Sequence, residues 1–554
     1  MSKADLVLVN ANVITLDDED TRARAIAISG DRILKVGSEN EIKPLIGGAT
    51  EVIDLNGRTL VPGFVDAHDH IGWSIGMSGA QEFSVEYCRS IKELQDRIAK
   101  YALQVPKGGY IRCGKVSPIT PSHGSLYIKE KRWPTRQELD EVTPDHYLSL
   151  GLNHGSIVNT KLLELIEAEA PPNIGGIRKD PKTGEPNGML TEAQPPLVSA
   201  NKVCRAVTQK HWPTPTTDED RKQACIAAAE DAASVGYTTL HIAGADEFLT
   251  RFLLSQPLAV RFVLYYDILD FFSKLAPDIS EKSLDEKLRL IKSLSKKYNA
   301  RIGAKILNDG DIVPPDNTAA LFEPYTDDSS NTGVLYVAGE DLNRVILKFH
   351  EAGLQFAIHC CGDRCVEEVL NAYEYALKKA PRADHRHRIE HFELVTDDQI
   401  KRAAKLGVAC VMEPIFLYFD DYAPFLGERR MKRIQPYKSM LEAGVLVAGG
   451  SDWGGAFESS QPILGIHILV NHQNPEQRIS VRDALRMYTI NGAKVGFEEK
   501  EKGSLEPGKL ADLVVLSDDP YRVDPKNIRN IRVVLTMVGG KIVYINDPLV
   551  RKYP

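Results

Sequence analysis

The chain has 554 residues, 43% of them hydrophobic and 26% charged, enough for one large globular domain plus a smaller one. A formal net charge of −8 and a pI near 6.0 argue against a nucleic-acid-binding surface. Eight cysteines without a CxxC pair argue against a disulfide framework and suit a reducing compartment.

The first sixty residues read as short strands: Asp5-Leu-Val-Leu-Val9, Val13-Ile-Thr15, Ala25-Ile-Ala-Ile28 and Arg32-Ile-Leu-Lys-Val36, with Gly30-Asp31 as a hairpin turn. The far end has the same style, in Ala511 to Leu516, Ile531 to Val538 and Lys541 to Tyr544. Neither group can bury a face alone. Together, residues 1–61 and 500–554 make a small β-sandwich. The opening apolar run is too short for an export signal, which needs about 7–15 apolar residues. No run approaches the roughly 18 apolar residues of a spanning helix. A cytoplasmic protein with no membrane or nucleic-acid partner, acting on a small molecule, is the expectation. A homodimer is the default assembly.

Next comes Leu60-Val-Pro-Gly-Phe-Val-Asp-Ala-His-Asp-His70. Two imidazoles two apart on a buried strand share a face, and imidazole is the commonest side-chain ligand for zinc-like ions. Residues from about 75 to about 230 are rich in Gly and Pro with few clean barrel strands. They read as an inserted subdomain over a barrel mouth, where loops set specificity. His154 lies within it, in Asn153-His-Gly-Ser-Ile-Val-Asn159, and His241 follows the apolar Tyr237-Thr-Thr-Leu240 as another apparent strand tip.

From there strands and helices alternate, as a parallel barrel over residues 62–499 requires. Lys305 sits inside an apolar strand-like stretch, where an amine is costly without a partner or modification. Leu354-Gln-Phe-Ala-Ile-His359 and Arg388-Ile-Glu-His391 each end in histidine, and Asp452 follows a glycine pair after Val445-Leu-Val-Ala. Helical spacing marks 342–352, 366–377, 397–406 and 480–488. Asp384-His385-Arg-His387 is a second His-x-His, but its arginines disfavour a cation. Cys360, Cys361 and Cys365 follow His359 closely and offer thiolates to a soft metal, but adjacent strand residues point oppositely and they read rather as small buried hydrophobes. Asp363 and Arg364 read as a salt bridge opening the next helix. Trp453 is a pocket wall or a core residue.

The order His-x-His, Lys, His, His, Asp resembles the amidohydrolase superfamily. The wording of Pro62-Gly-Phe-Val-Asp-Ala-His68, Lys305-Ile-Leu-Asn-Asp-Gly310, His359 with Gly362-Asp-Arg364, Arg388-Ile-Glu-His391 and Gly450-Ser-Asp452 is similar to amidohydrolase family 3, the group of N-substituted formamide deformylase and YtcJ-like proteins. The resemblance implies a TIM-type (β/α)8 barrel. It implies one or two divalent metals, zinc foremost, held by His68, His70, Lys305, His359, His391 and Asp452. Lys305 would be carbamylated by carbon dioxide, and Asp452 would be the catalytic base. It also implies a pocket-facing Gly-His-Ser segment, which here reads His154-Gly155. His154, His241 and Trp453 are the candidates for touching substrate.

The expected reaction is attack of metal-bound hydroxide on an amide-like carbon with C–N cleavage. Two enzyme readings stay open beside it, a ring deaminase and an ester or lactone hydrolase. From another class stands a non-catalytic binding protein of the same fold.

Overall fold

The computed structural model describes residues 3–71, 83–85, 88–114, 129–130, 132–151, 155–180, 182–213, 217–271, 274–312, 317–419, 422–452, 461–546 and 551–553. Its centre is an eight-stranded parallel sheet. The strands are β1 (Phe64–Asp69), β2 (Tyr237–Ala245), β3 (Arg261–Asp267), β4 (Ile302–Leu307), β5 (Phe356–Cys360), β6 (Arg388–His391), β7 (Ala409–Met412) and β8 (Leu446–Gly449). Each pairs in parallel with the next. Past β8, Ser451 and Asp452 donate their backbone N–H groups to His68 O at 3.2 and 2.8 Å, which closes the ring on β1. This is a TIM-type barrel, so its carboxyl-terminal rim is where chemistry belongs.

These strands form because short runs of Val, Ile, Ala and Phe are buried on both faces. Helices Asp218–Ser234, Glu247–Ser255, Glu281–Tyr298, Gly339–Glu351, Asp363–Lys379 and Asp397–Leu406 cover the outside. Asp397–Leu406 opens on a Thr396–Gln399 capping box and stops at Gly407, whose φ of 70° is the left-handed C-cap that glycine adopts without strain. The salt bridge expected between Asp363 and Arg364 does not form. Asp363 accepts from Phe322 N at 3.0 Å, while Arg364 Nη2 donates to Thr332 O at 3.0 Å. Both side chains tie the long loop after β4 to the start of this helix.

Both ends of the chain build two further sheets. One has the order Arg551–Tyr553, Glu51–Asp54, Leu6–Val9, Ala25–Ser29, Arg32–Gly37; the other Lys541–Ile545, Val533–Val538, Leu513–Leu516, Thr59–Pro62, Asn12–Ile14, Arg22–Ala23. Leu6, Leu8, Ile26, Ile53, Leu60, Leu513, Val515 and Met537 form a shared core. Between β1 and β2 lies a separate six-stranded sheet, which includes Tyr110–Gly114, Tyr147–Gly151, Ser156–Val158 and Pro186–Leu190. It mixes parallel and antiparallel pairs. Gln194 joins the loop after β4, donating to Leu335 O at 2.7 Å and accepting from Leu335 N at 2.8 Å. Lys202 Nζ donates to Phe271 O at 2.9 Å in the loop after β3. The insertion therefore seats on rim loops at the carboxyl ends of the strands.

Candidate active site

His68 reaches the barrel interior through a bulge. Between Leu240 and Ile242 of β2 the partner residues in β1 step from Asp66 to Asp69, so β1 carries one extra residue. Such a bulge re-aims a side chain, and bulges favour active sites. His68 Nε2 then lies 3.3 Å from His70 Nε2, and Asp452 Oδ1 stands 3.3 Å from His68 Nε2 and 2.9 Å from His70 Nε2. Around a tetrahedral zinc with bonds of about 2.0–2.3 Å, donor atoms stand about 3.3–3.6 Å apart. These three side chains fit that spacing, with Asp452 slightly inside it.

Asp452 gets there by a tight approach. A Cβ on Gly450 would stand 2.7 Å from His68 Cβ, so only glycine lets the β8 loop lie against β1. Asp452 itself takes the left-handed conformation, φ 60°, and His391 does the same at 70°. Such backbone outliers on non-glycine residues cluster at functional sites.

A second group faces the first. His359, at the end of β5, and His391, at the end of β6, have ring centroids 4.3 Å apart, and His391 is 4.9 Å from His68. Their donor atoms and the Cys361 sulfur all lie within 4.8 Å of one another, a grouping that suits a metal ion. Lys305 is buried in β4 and interacts electrostatically with Glu390, Asp452 and Glu413. The barrel thus draws His68, His70, Asp452, His359, His391 and Lys305 to one end.

Carboxylates behind the histidines set their orientation. Glu390 Oε2 is 2.5 Å from His68 Nδ1, and Glu413 Oε2 is 2.7 Å from His391 Nδ1. A ring whose Nδ1–H faces a carboxylate presents Nε2 as the donor. Glu390 is itself gripped by Arg388, whose Nε donates to Oε1 at 2.8 Å and whose Nη2 donates to Oε2 at 2.5 Å. Asp66 accepts from the backbone N–H of His68 at 3.1 Å and of Ser451 at 3.0 Å, clipping β1 to the β8 loop. Asp309 accepts backbone N–H groups of Cys361, Gly362 and Ala320 at 3.0, 2.9 and 3.0 Å and lies 3.5 Å from His359 Nε2.

The electrostatics divide the site. Burial pushes His70 down to about 4, so its ring is neutral and able to ligate. Burial works against charge on His391 too, but the Glu413 carboxylate outweighs it and holds that ring up at about 10. A cation at His391 would displace this proton. Burial opposes ionisation of Asp452, yet hydrogen bonds from His68 and His70 keep its carboxyl well below the usual range. Burial lowers the Lys305 ammonium.

Other expected site residues sit differently. β2 continues to Ala245, so His241 lies mid-strand rather than at a tip. Its Nδ1 meets Arg388 Nη1 at 3.1 Å, and its ring packs beside Gly496. That placement serves Arg388 rather than the metal-type donors. His154 and Trp453 lie outside the described residues. His387 meets His350 at 2.9 Å, Nε2 to Nδ1, at the start of β6 and away from the rim. Glu413 and Glu390 escaped the sequence reading, and Cys361 was weighed there and set aside. Glu413 tips the apolar strand β7 as His359 tips β5. Glu390 precedes His391 directly. Cys361 stands at the same two-residue offset from His359 that joins His68 to His70.

The chain has full-length relatives. The chain is 28% identical to an N-substituted formamide deformylase of Arthrobacter pascens, over 98% of both chains. It is 29% identical to the putative amidohydrolase YtcJ of Bacillus subtilis (strain 168), over 96% of this chain and 98% of that one. Among solved structures, a metal-dependent hydrolase from Pyrococcus horikoshii OT3 shares the fold, with a TM-score of 0.67 at 23% identity over 94% of this chain and 99% of that one. Residues 51–544 match the amidohydrolase family model, and this chain belongs to the amidohydrolase family, a family of metal-dependent hydrolases.

Proposed function

We propose that this chain hydrolyses an amide-type C–N bond other than a peptide bond, with an N-substituted formamide as the leading substrate class. The convergence of His68, His70 and Asp452 to within 3.3 Å of one another carries the reading. Full-length similarity to a formamide deformylase supports the substrate class. His68, His70 and Asp452 would hold one divalent cation, zinc foremost, and His359 with His391 a second. Lys305, carbamylated, would add a carboxylate-type donor to this centre. A bound cation supplies Lewis acidity and makes water a nucleophile at neutral pH.

The chain's own groups handle the protons. Asp452 is an acceptor at the rim, with its side chain 24% exposed while His68 beside it is sealed. It takes a proton from the attacking water and returns it to the departing amine nitrogen. Glu390 and Glu413 keep His68 and His391 in the Nδ1–H tautomer, so neither ring competes as a base. The insertion, seated on the rim loops through Gln194 and Lys202, shapes the side from which substrate arrives.

The test is a hydrolysis screen over formamides, longer acyl-amines, cyclic amides, ring amines and esters, run with zinc and bicarbonate. Formamides with a bulky nitrogen substituent should turn over fastest, releasing formate and amine. Ammonia released from ring amines, with no formamide turnover, would assign a deaminase instead.

A further inference from the structure

The His359–His391 pair at the ends of β5 and β6 has a third neighbour that the proposed chemistry does not use. Cys361 lies two residues beyond His359, and its Sγ is 3.5 Å from His359 Nε2. Cys360, between them, points the other way, its Sγ meeting Cys365 Sγ at 3.0 Å behind the strand. The offset that pairs His68 with His70 thus also pairs His359 with Cys361. The backbone N–H of Cys361 is fixed to Asp309 Oδ1 at 3.0 Å, and Asp309 is held in turn by Gly362 and Ala320. A Cβ on Gly362 would lie 2.0 Å from Ala320 O, so only glycine fits at this turn.

We infer that Cys361 is a metal ligand, so that the second cation is held by His359, His391 and a thiolate. The inference rests on the proposed metal centre and deepens it. Zinc bonds of about 2.3 Å to sulfur and about 2.0–2.1 Å to nitrogen, in tetrahedral array, put the two donors about 3.5–3.6 Å apart. The observed 3.5 Å is that spacing. The donors of His359, Cys361 and His391 lie within 4.8 Å of one another, and all three residues are buried.

A divalent cation bound here would take the thiol as thiolate, with its proton released to solvent. A sulfur donor also softens this position. It selects zinc, cobalt or cadmium over magnesium or manganese, while the histidine–carboxylate position of His68, His70 and Asp452 stays tolerant.

The experiment uses cobalt(II) as the probe. The full-length protein is stripped with a chelator, reloaded with cobalt and read by near-ultraviolet and visible absorption. A thiolate-to-cobalt charge-transfer band is expected in the wild type. Cys361→Ser should lose that band while keeping its far-ultraviolet circular dichroism and the cobalt held by His68, His70 and Asp452. Zinc-edge X-ray absorption of the wild type gives a check that needs no variant, with sulfur expected in the zinc shell. Cobalt bound through nitrogen and oxygen only, or a band unchanged in Cys361→Ser, overturns the thiolate ligand and leaves the hydrolase reading intact. A wild type that takes up no cobalt overturns both.

Discussion

Glu413, just past β7, reaches across to β6 and holds His391: Oε2 lies 2.7 Å from Nδ1, with both side chains buried. The contact fixes which nitrogen faces the rim, and it has a measurable consequence. Glu413→Gln keeps the shape but removes the charge. Metal affinity should fall about 10–100-fold, the usual effect of losing a carboxylate behind a ligating histidine. Competition titration with a zinc chelator measures it. An unchanged affinity would mean that His391 is not a ligand.

Asp452 should separate binding from chemistry. Asp452→Asn keeps an oxygen near His68 and His70 but removes the proton acceptor. Zinc content is expected to persist, while turnover falls by about 10²–10⁴, the range of a lost general base. Near-normal rates would place the base elsewhere.

Lys305 is a buried amine that interacts electrostatically with members of both donor clusters, Asp452 and His391. Lys305→Ala should lower metal content and abolish hydrolysis. Bicarbonate should raise the activity of stripped and reloaded wild type but not of the variant. Full metal content and activity in the variant would remove the carbamate from the account.

Arg388 is fully buried, with its charge held against Glu390 and its Nη2 also donating to Ala67 O at 2.6 Å. Arg388→Met leaves the Glu390 carboxylate buried without its strongest partner. Breaking one side of such a pair costs about 3–5 kcal/mol, readable by chemical denaturation. A loss below about 1 kcal/mol would mean that His68 alone stabilises Glu390.

Gly450→Ala would press a methyl group 2.7 Å from His68 Cβ and 3.0 Å from its N. Overpacking of this kind costs about 1–3 kcal/mol. The strain falls on the contact that closes the barrel, so both thermal stability and metal affinity should drop.

Much of this was legible in the chain because barrel strands are buried on both faces. A short apolar run that stops at a histidine or acid announces a strand and its rim residue together, as at His359 and Asp452. The same rule covers Glu413, but glutamate after four apolar residues is too common to stand out. His241 misled for the converse reason: Ile242-Ala-Gly-Ala245 is apolar too, so the strand ran on past it. The insertion was visible only as irregularity. Its sheet mixes strand directions and long-range partners, and hydrophobic periodicity carries no information about either. Cys361 was weighed as a soft-metal donor and set aside because buried cysteine is usually packing, and only coordinates show its sulfur 3.5 Å from His359 Nε2 rather than against an aliphatic wall.

Anomalous diffraction at the zinc edge, from zinc-soaked crystals of the full chain, tests the centre of this account most directly. Density is expected at the barrel rim, with one peak against His68, His70 and Asp452 and another against His359 and His391. Crystals with no zinc peak at the rim, or with zinc only on surface histidines such as His211, would contradict it.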